Sequence, residues 1–259
     1  MATPGKCSSG RLTREALLAF QARDGHCSDM KILPLLLGCF LSAQAEVASN
    51  NLAPLIDKVA IAYGGQGALE KFVGMKETGR VEAAMSNSAP RPMVRTFARP
   101  LRLRVEIGEP SKPSEIRIVD GPKGWRNGQE STGVGYEAMV LQAVRLDLPF
   151  QLLSQRKALV EKDPIDSQGK HLRVVELSLE HGLSIIAGIE PETGRILFSK
   201  GTTKTGSNTF ETRYDDFRTV QGHLFAFKET NFAGETKTAD IMLTKIEFLP
   251  SSPSEAFKP

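Results

Sequence analysis

The stretch Arg95-Thr96-Phe97-Ala98-Arg99-Pro100-Leu101-Arg102-Leu103-Arg104-Val105-Glu106-Ile107 decides the fold class. Phe97, Leu101, Leu103, Val105 and Ile107 share one parity, and Arg102, Arg104 and Glu106 fall between them. Successive side chains of a strand point to opposite faces, so the spacing predicts a long antiparallel strand with a dry and a wet face. The basic residues Arg91, Arg95, Arg99, Arg102 and Arg104 form a local cluster here. With Arg102 and Arg104 on the wet face, the cluster reads as a solvated surface or a contact for an anionic lipid or acidic partner.

The same alternation extends outward. Val81, Ala83 and Met85 alternate with Arg80, Glu82 and Ala84, and Ser114–Asp120 reads as another strand. The turn Asp120-Gly121-Pro122-Lys123-Gly124 leads to Trp125, the single tryptophan. Strands are expected over 171–180, 183–190, 195–201, 208–219, 224–232 and 238–249. Short turns such as His181-Gly182, Glu192-Thr193-Gly194 and Gln221-Gly222 join them into a meander.

Two segments carry helical spacing instead. Between residues 50 and 72, Leu55, Ile56, Val59, Ala60 and Tyr63 form one stripe, which Gly64-Gly65 ends; Asn50 or Asn51 can cap it. Between 136 and 159, Met139, Val140, Ala143 and Val144 recur on one face. Pro149 suits the first turn of a second helix carrying Phe150, Leu152 and Leu153. The fold class is therefore mainly β with α (α+β): a curved antiparallel sheet of nine or more strands, covered by an N-terminal helix and a helical insert. A sheet of that size curls, and its apolar face needs those covers.

The strongest local signal precedes all of this. Met30-Lys31 opens an apolar run through Leu41, and Ala43-Gln44-Ala45 follows as a small-x-small cleavage site. The run is too short for a stable membrane anchor, which needs about 20 residues. The domain division is thus 1–45, an extension and signal peptide, and 46–259, one domain. Leu36-Leu37-Gly38-Cys39 offers a minor alternative, lipid attachment at Cys39. Residues 1–45 hold five basic and three acidic side chains of the chain's 33 and 30, so 46–259 keeps a formal charge of +1 and no cysteine. That balance argues against nucleic acid as a partner.

Catalytic motifs are weak. Ser154-Gln155-Arg156-Lys157 and Lys204-Thr205-Gly206 match two short elements of serine acyl enzymes, but the intervening S-D-N is missing. His171, His181 and His223 show no metal-ligand spacing, and His181 and His223 beside turn glycines read as exposed. The adjacent Asp215 and Asp216 point to opposite faces of a strand. Gly64-Gly65-Gln66-Gly67 follows a helix and lacks the lysine of a phosphate loop. No catalytic residue, metal ligand or cofactor is expected.

Taken together, Tyr63-Gly64-Gly65, Ala68-Leu69-Glu70-Lys71, Met75-Lys76-Glu77-Thr78-Gly79, Gly124-Trp125, Tyr214-Asp215-Asp216-Phe217-Arg218, Gly222-His223-Leu224-Phe225 and Phe257-Lys258-Pro259 fall in a recognisable order. The chain over 50–259 resembles the periplasmic lipoprotein carrier and sorting superfamily (LolA/LolB-like). The resemblance implies an unclosed half-barrel under a helical lid at about 136–159, with an apolar cavity for acyl chains. It also implies a non-enzymatic periplasmic carrier whose partner is a lipid or lipoprotein acyl chain, with envelope proteins as further partners. The alternative is a regulatory or envelope-assembly interaction domain with no transported ligand. Candidate cavity-lining residues are Phe97, Leu101, Leu103 and Val105 of the strand, facing Met139, Val144, Phe150 and Leu153 of the lid. Trp125 is either a ligand contact at the mouth or a plug of the sheet edge.

N-terminal sequencing of the exported protein is expected to begin at Glu46; an acylated Cys39 at the new terminus contradicts this.

Overall fold

The computed structural model describes residues 52–85, 89–167 and 169–259. The expected signal peptide, the boundary at residue 45, Cys39 and the cap at Asn50 or Asn51 lie outside the described residues. A helix over 52–62, α1, buries Leu55, Ile56, Val59 and Ala60, and the chain turns through 63–65 into α2 (Gln66–Lys71). Six strands follow: β1 (Gly74–Ala83), β2 (Arg91–Ala98), β3 (Arg102–Glu109), β4 (Lys112–Asp120), β5 (Lys123–Arg126) and β6 (Gln129–Glu130). The insert is α3 (Gly133–Leu146) and α4 (Leu148–Ser154), then a single 3-10 turn, Arg156–Ala158. Seven more strands complete the sheet: β7 (Val160–Ser167), β8 (Lys170–Ser178), β9 (Ser184–Ile189), β10 (Ile196–Thr202), β11 (Thr209–Val220), β12 (His223–Ala233) and β13 (Thr236–Phe248).

The thirteen strands form one antiparallel sheet in the order β6-β5-β4-β3-β2-β1-β13-β12-β11-β10-β9-β8-β7. The first and last strands pair in the middle, Val81 opposite Ile241. The two edges, β6 and β7, are neighbours in sequence, and α3 and α4 connect them. The sheet is not closed into a barrel, and the chain crosses its open side as helix. That connection makes the insert a lid: a segment running from one edge of a curled sheet to the other must pass over the concave face.

The expected long strand over 95–107 is instead a hairpin. β2 ends at Ala98, the chain turns through Arg99, Pro100 and Leu101, and β3 returns with Phe97 opposite Leu103 and Ala98 opposite Arg102. Three turn residues keep odd positions opposite odd positions, so the alternation runs through the reversal unbroken. Pro100, which has no N–H to give a ladder, marks the place. Trp125, expected beyond a turn, lies in β5 opposite Ile118. The insert begins at Gly133, and the charged segment Val160-Glu161-Lys162-Asp163-Pro164-Ile165-Asp166-Ser167, with no dry face, is the edge strand β7. Its register with β8 shifts between Lys162 and Ile165.

The main core lies on the concave face. Leu103, Val105 and Ile107 of β3, Ile185 of β9 and Ile241 of β13 pack there with α1 and α3. On the convex face, Phe257 from a terminal 3-10 turn (Ser254–Phe257) is fully buried against Ala98 and Ile118, and Trp125 packs beside it. The wet face of β3 pairs its charges locally: Arg102 Nε donates to Asp120 at 2.9 Å and Arg104 Nε to Glu106 at 2.9 Å. Such half-exposed pairs contribute about 0–1 kcal/mol each.

The β9–β10 turn docks on α1. Ile196 N–H donates to the Tyr63 hydroxyl at 3.1 Å, and Lys58 Nζ donates to the Pro191 carbonyl at 2.9 Å. Gly194 sits between these contacts with φ +73°, where a Cβ would lie 2.4 Å from the Lys58 carbonyl oxygen. Gly194→Ala is expected to lower stability by more than about 1 kcal/mol, from backbone strain and the clash with α1 together. Urea unfolding checks it, and a midpoint unchanged from the parent contradicts this docking.

Candidate functional site

Charges stand on the dry face. Arg95, at the middle of β2, is fully buried with a parity that points it into the concavity. Its Nε donates to Glu77 of β1, directly opposite in the ladder. Its two terminal nitrogens donate to both carboxylate oxygens of Glu229 on β12, at 3.1 and 2.6 Å. Arg145, in the last turn of α3, completes the group by donating to Glu229 at 3.3 Å, to Asn231 at 3.3 Å and to the Thr212 hydroxyl at 2.5 Å. Two guanidinium groups and two carboxylates therefore share one dry volume.

Burial works against the Glu229 carboxylate, but Arg95 and Arg145 together outweigh it and hold its carboxyl below the usual range. For Glu77 burial is the larger effect, and its carboxyl is pushed up in spite of Arg95. Nearby, burial pushes the Tyr214 phenol up to about 12, while its oxygen shares a 2.7 Å hydrogen bond with Ser199.

A further arginine from the sheet fixes the bend of the insert. Arg99, in the β2–β3 turn, grips Asp147 between α3 and α4 through Nε at 2.9 Å and Nη2 at 2.6 Å, and donates to the Leu69 carbonyl at 2.7 Å. Its guanidinium also lies 3.6 Å from the centre of the Phe150 ring. The lid is thus tied to the sheet at both ends of the bend between its helices. Along its middle it lies close to the sheet, because Gly201 of β10 carries no Cβ; one there would stand 2.9 Å from the Leu141 methyls.

Two cavities lie on either side of Arg145, which among the described residues is the one that lines both. The larger, about 550 Å3, lies between α3 and the concave sheet. Val105, Ile107, Met93 and Ile241 form its apolar wall, and Ala138, Met139 and Leu141 its roof. Its rim is charged: Arg117 and Arg126 both donate to Glu115, and Arg91 donates to Ser114 at 3.0 Å. The smaller cavity, about 90 Å3, lies under α4 and is lined by aromatic and aliphatic side chains. No group of three or more His, Cys, Asp or Glu among the described residues is placed to hold a metal ion.

A crystallised outer membrane lipoprotein-sorting protein domain from Vibrio parahaemolyticus superposes with a TM-score of 0.54 at 8% identity, covering 82% of this chain and 97% of that one. A LolA superfamily protein from Nitrosomonas europaea gives 0.50 at 12% identity, covering 79% and 96%. The chain has a LolA-like fold. A DUF1329 family protein from Desulfovibrio piger shares it, with a TM-score of 0.53 at 7% identity over 83% and 97% of the two chains. No family model and no curated protein sequence matches the chain.

Within this LolA-like frame the candidate residues separate. Val105 and Met139 line the larger cavity, and Phe150 lines the smaller one. Phe97, Leu103, Val144 and Leu153 are buried in the packed core and Leu101 packs against it, but none of these five lines either cavity. Trp125 packs on the convex side beside Phe257 and lines neither cavity. His181 is exposed as expected, whereas His223 is half-buried among Phe72, Phe225 and Phe248. Arg95, grouped by sequence with a solvated basic cluster, is instead fully buried, and Glu77, Glu229 and Arg145 were not among the candidates. The signal was parity: Arg95 keeps step with Phe97, and Glu229 with the buried Phe227.

Glu229→Gln is expected to cost about 3–5 kcal/mol at pH 7, since it leaves two buried guanidinium groups sharing one carboxylate. The folded Glu229 carboxyl lies below its unfolded value of about 4.5, so its contribution is present above that value and lost as pH falls through the folded one. The deficit of the variant should therefore shrink below about pH 4.5. Urea midpoints at pH 7 and pH 3.5 check this; a deficit equal at both contradicts it.

Proposed function

We propose that the protein is an exported periplasmic carrier that holds a lipid or lipoprotein acyl chain in the 550 Å3 cavity, without performing chemistry on it. The cavity itself carries this reading. Its volume is within the ~300–1,000 Å3 typical of small-molecule sites, its walls are mostly hydrocarbon, and Arg91, Arg117, Arg126 and Glu115 stand at its rim. Unfilled apolar volume of this size loses packing contacts that an occupant would restore. Each methylene entering it contributes about 0.8 kcal/mol, so a chain of about 15 carbons supplies about 12 kcal/mol, enough for micromolar binding after about 4 kcal/mol for association.

The LolA-like neighbours support the same reading, since one is described as a lipoprotein-sorting domain. No helix among the described residues is long and apolar enough to cross a membrane. Rim arginines Arg91, Arg117 and Arg126 suit the boundary between an acyl chain and a polar headgroup or polypeptide outside.

Displacement of a fluorescent fatty-acid probe tests the proposal, with two variants that separate cavity from core. Ala138→Trp fills the cavity from the α3 side and should abolish probe binding while the melting temperature stays near that of the parent. Leu103→Ala, in the packed core, should cost about 2–5 kcal/mol of stability and leave probe affinity in the surviving folded fraction nearly unchanged. Failure of the unaltered protein to bind the probe rejects the carrier and favours an interaction domain with no transported ligand.

A further inference from the structure

We propose that the smaller cavity is a second binding site, for a small neutral molecule with an aromatic body and one hydroxyl group. This site is independent of the acyl-chain reading, since among the described residues the two cavities share only Arg145.

Two polar atoms single it out. Among the described residues, Arg145 Nε and His223 Nε2 are the buried side-chain nitrogens that have no hydrogen-bond partner. Both residues line this one cavity. A buried polar group left unsatisfied is costly, and two of them at one apolar cavity mark a place where something else completes the bonding.

Their chemistry is complementary. Arg145 Nε–H can only donate. His223 Nδ1 lies 3.3 Å from the Gln221 carbonyl, which can only accept, so in the neutral ring Nδ1 carries the proton and Nε2 offers its lone pair. His223 thus brings an unused acceptor to this cavity, and Arg145, at its boundary with the larger one, carries an unused donor. A hydroxyl is the simplest group that serves either, because it has one O–H and two lone pairs.

Charge and packing define the rest of the ligand. Arg95 and Arg145 are balanced by Glu77 and Glu229, so the site offers no net charge to hold an ion. Its walls include Phe72, Phe150, Tyr214, Phe217 and Phe225. The wall rings already pack on one another, with Phe72 and His223 at 5.9 Å and His223 and Phe225 at 6.4 Å, and Phe248 behind them meets Phe72 and His223 edge to face. A further ring continues that packing with the same geometry. At about 90 Å3 the cavity is too small for a long chain.

p-Cresol and toluene, which differ only in the hydroxyl, test the site in titrations of the full chain labelled with 15N at histidine. The unaltered protein should bind p-cresol about tenfold more tightly than toluene, with the His223 imidazole resonances moving on addition of p-cresol. His223→Phe keeps an aromatic ring in place and should narrow the gap between the two affinities, the Arg145 Nε donor remaining, while toluene still binds. Equal affinities in the unaltered protein overturn the proposal. So does absence of p-cresol binding, which would mean that the cavity holds only water, and so does binding that leaves His223 unperturbed.

Discussion

A buried guanidinium on β2 constrains the rest of the molecule. Arg95 cannot remain charged in a dry interior without partners, and Glu77 across the ladder supplies only one of them. The other, Glu229, stands on β12, three strands away in the order β2-β1-β13-β12. In a flat sheet that separation is about 14 Å, beyond a bidentate contact. The observed bonds of 2.6 and 3.1 Å therefore need a sheet curled inward at its centre. The ion pair works as a chord across the curve, and it lies where the first and last strands of the sheet meet.

The rest follows from that curvature. A curled sheet whose two edges are consecutive in sequence must send its connection across the opening, and α3 and α4 are that connection. Arg145 extends the charged group to the lid, so one network sets the bend of the sheet and the seat of α3. Arg99 secures the next bend, against Asp147. Space remains on both sides of Arg145 because the polar group occupies the centre of the concavity. Side chains that would otherwise meet from sheet and lid are held apart, and the interior is divided into a larger and a smaller volume.

Much of this was legible before any coordinates. The period of two gave the antiparallel sheet, the stripe at Leu55, Ile56 and Val59 gave α1, and Pro149 located α4. The hairpin at Pro100 escaped because a three-residue reversal preserves parity, so the pattern of Phe97 and Leu103 is the same for one strand or two. β7 escaped because an edge strand with both faces wet has no alternation to read. The cavity residues were only partly legible. Alternation tells which face a side chain takes, so Phe97, Leu103 and Val105 were rightly placed inward. Whether an inward residue meets a neighbour or a void depends on the curvature, and three-strand contacts such as Arg95 with Glu229 leave no mark in local spacing.

An unclosed sheet carries a hazard that a closed barrel avoids, because its last strand can template another. β7 is built against that outcome. Pro164 has no N–H to give a ladder, the slip between Lys162 and Ile165 breaks its repeat, and Lys162 and Asp163 add charge along it. The opposite edge, β6, is two residues long and too short to nucleate pairing. The molecule can therefore leave one side open to its interior and still resist edge-to-edge polymerisation.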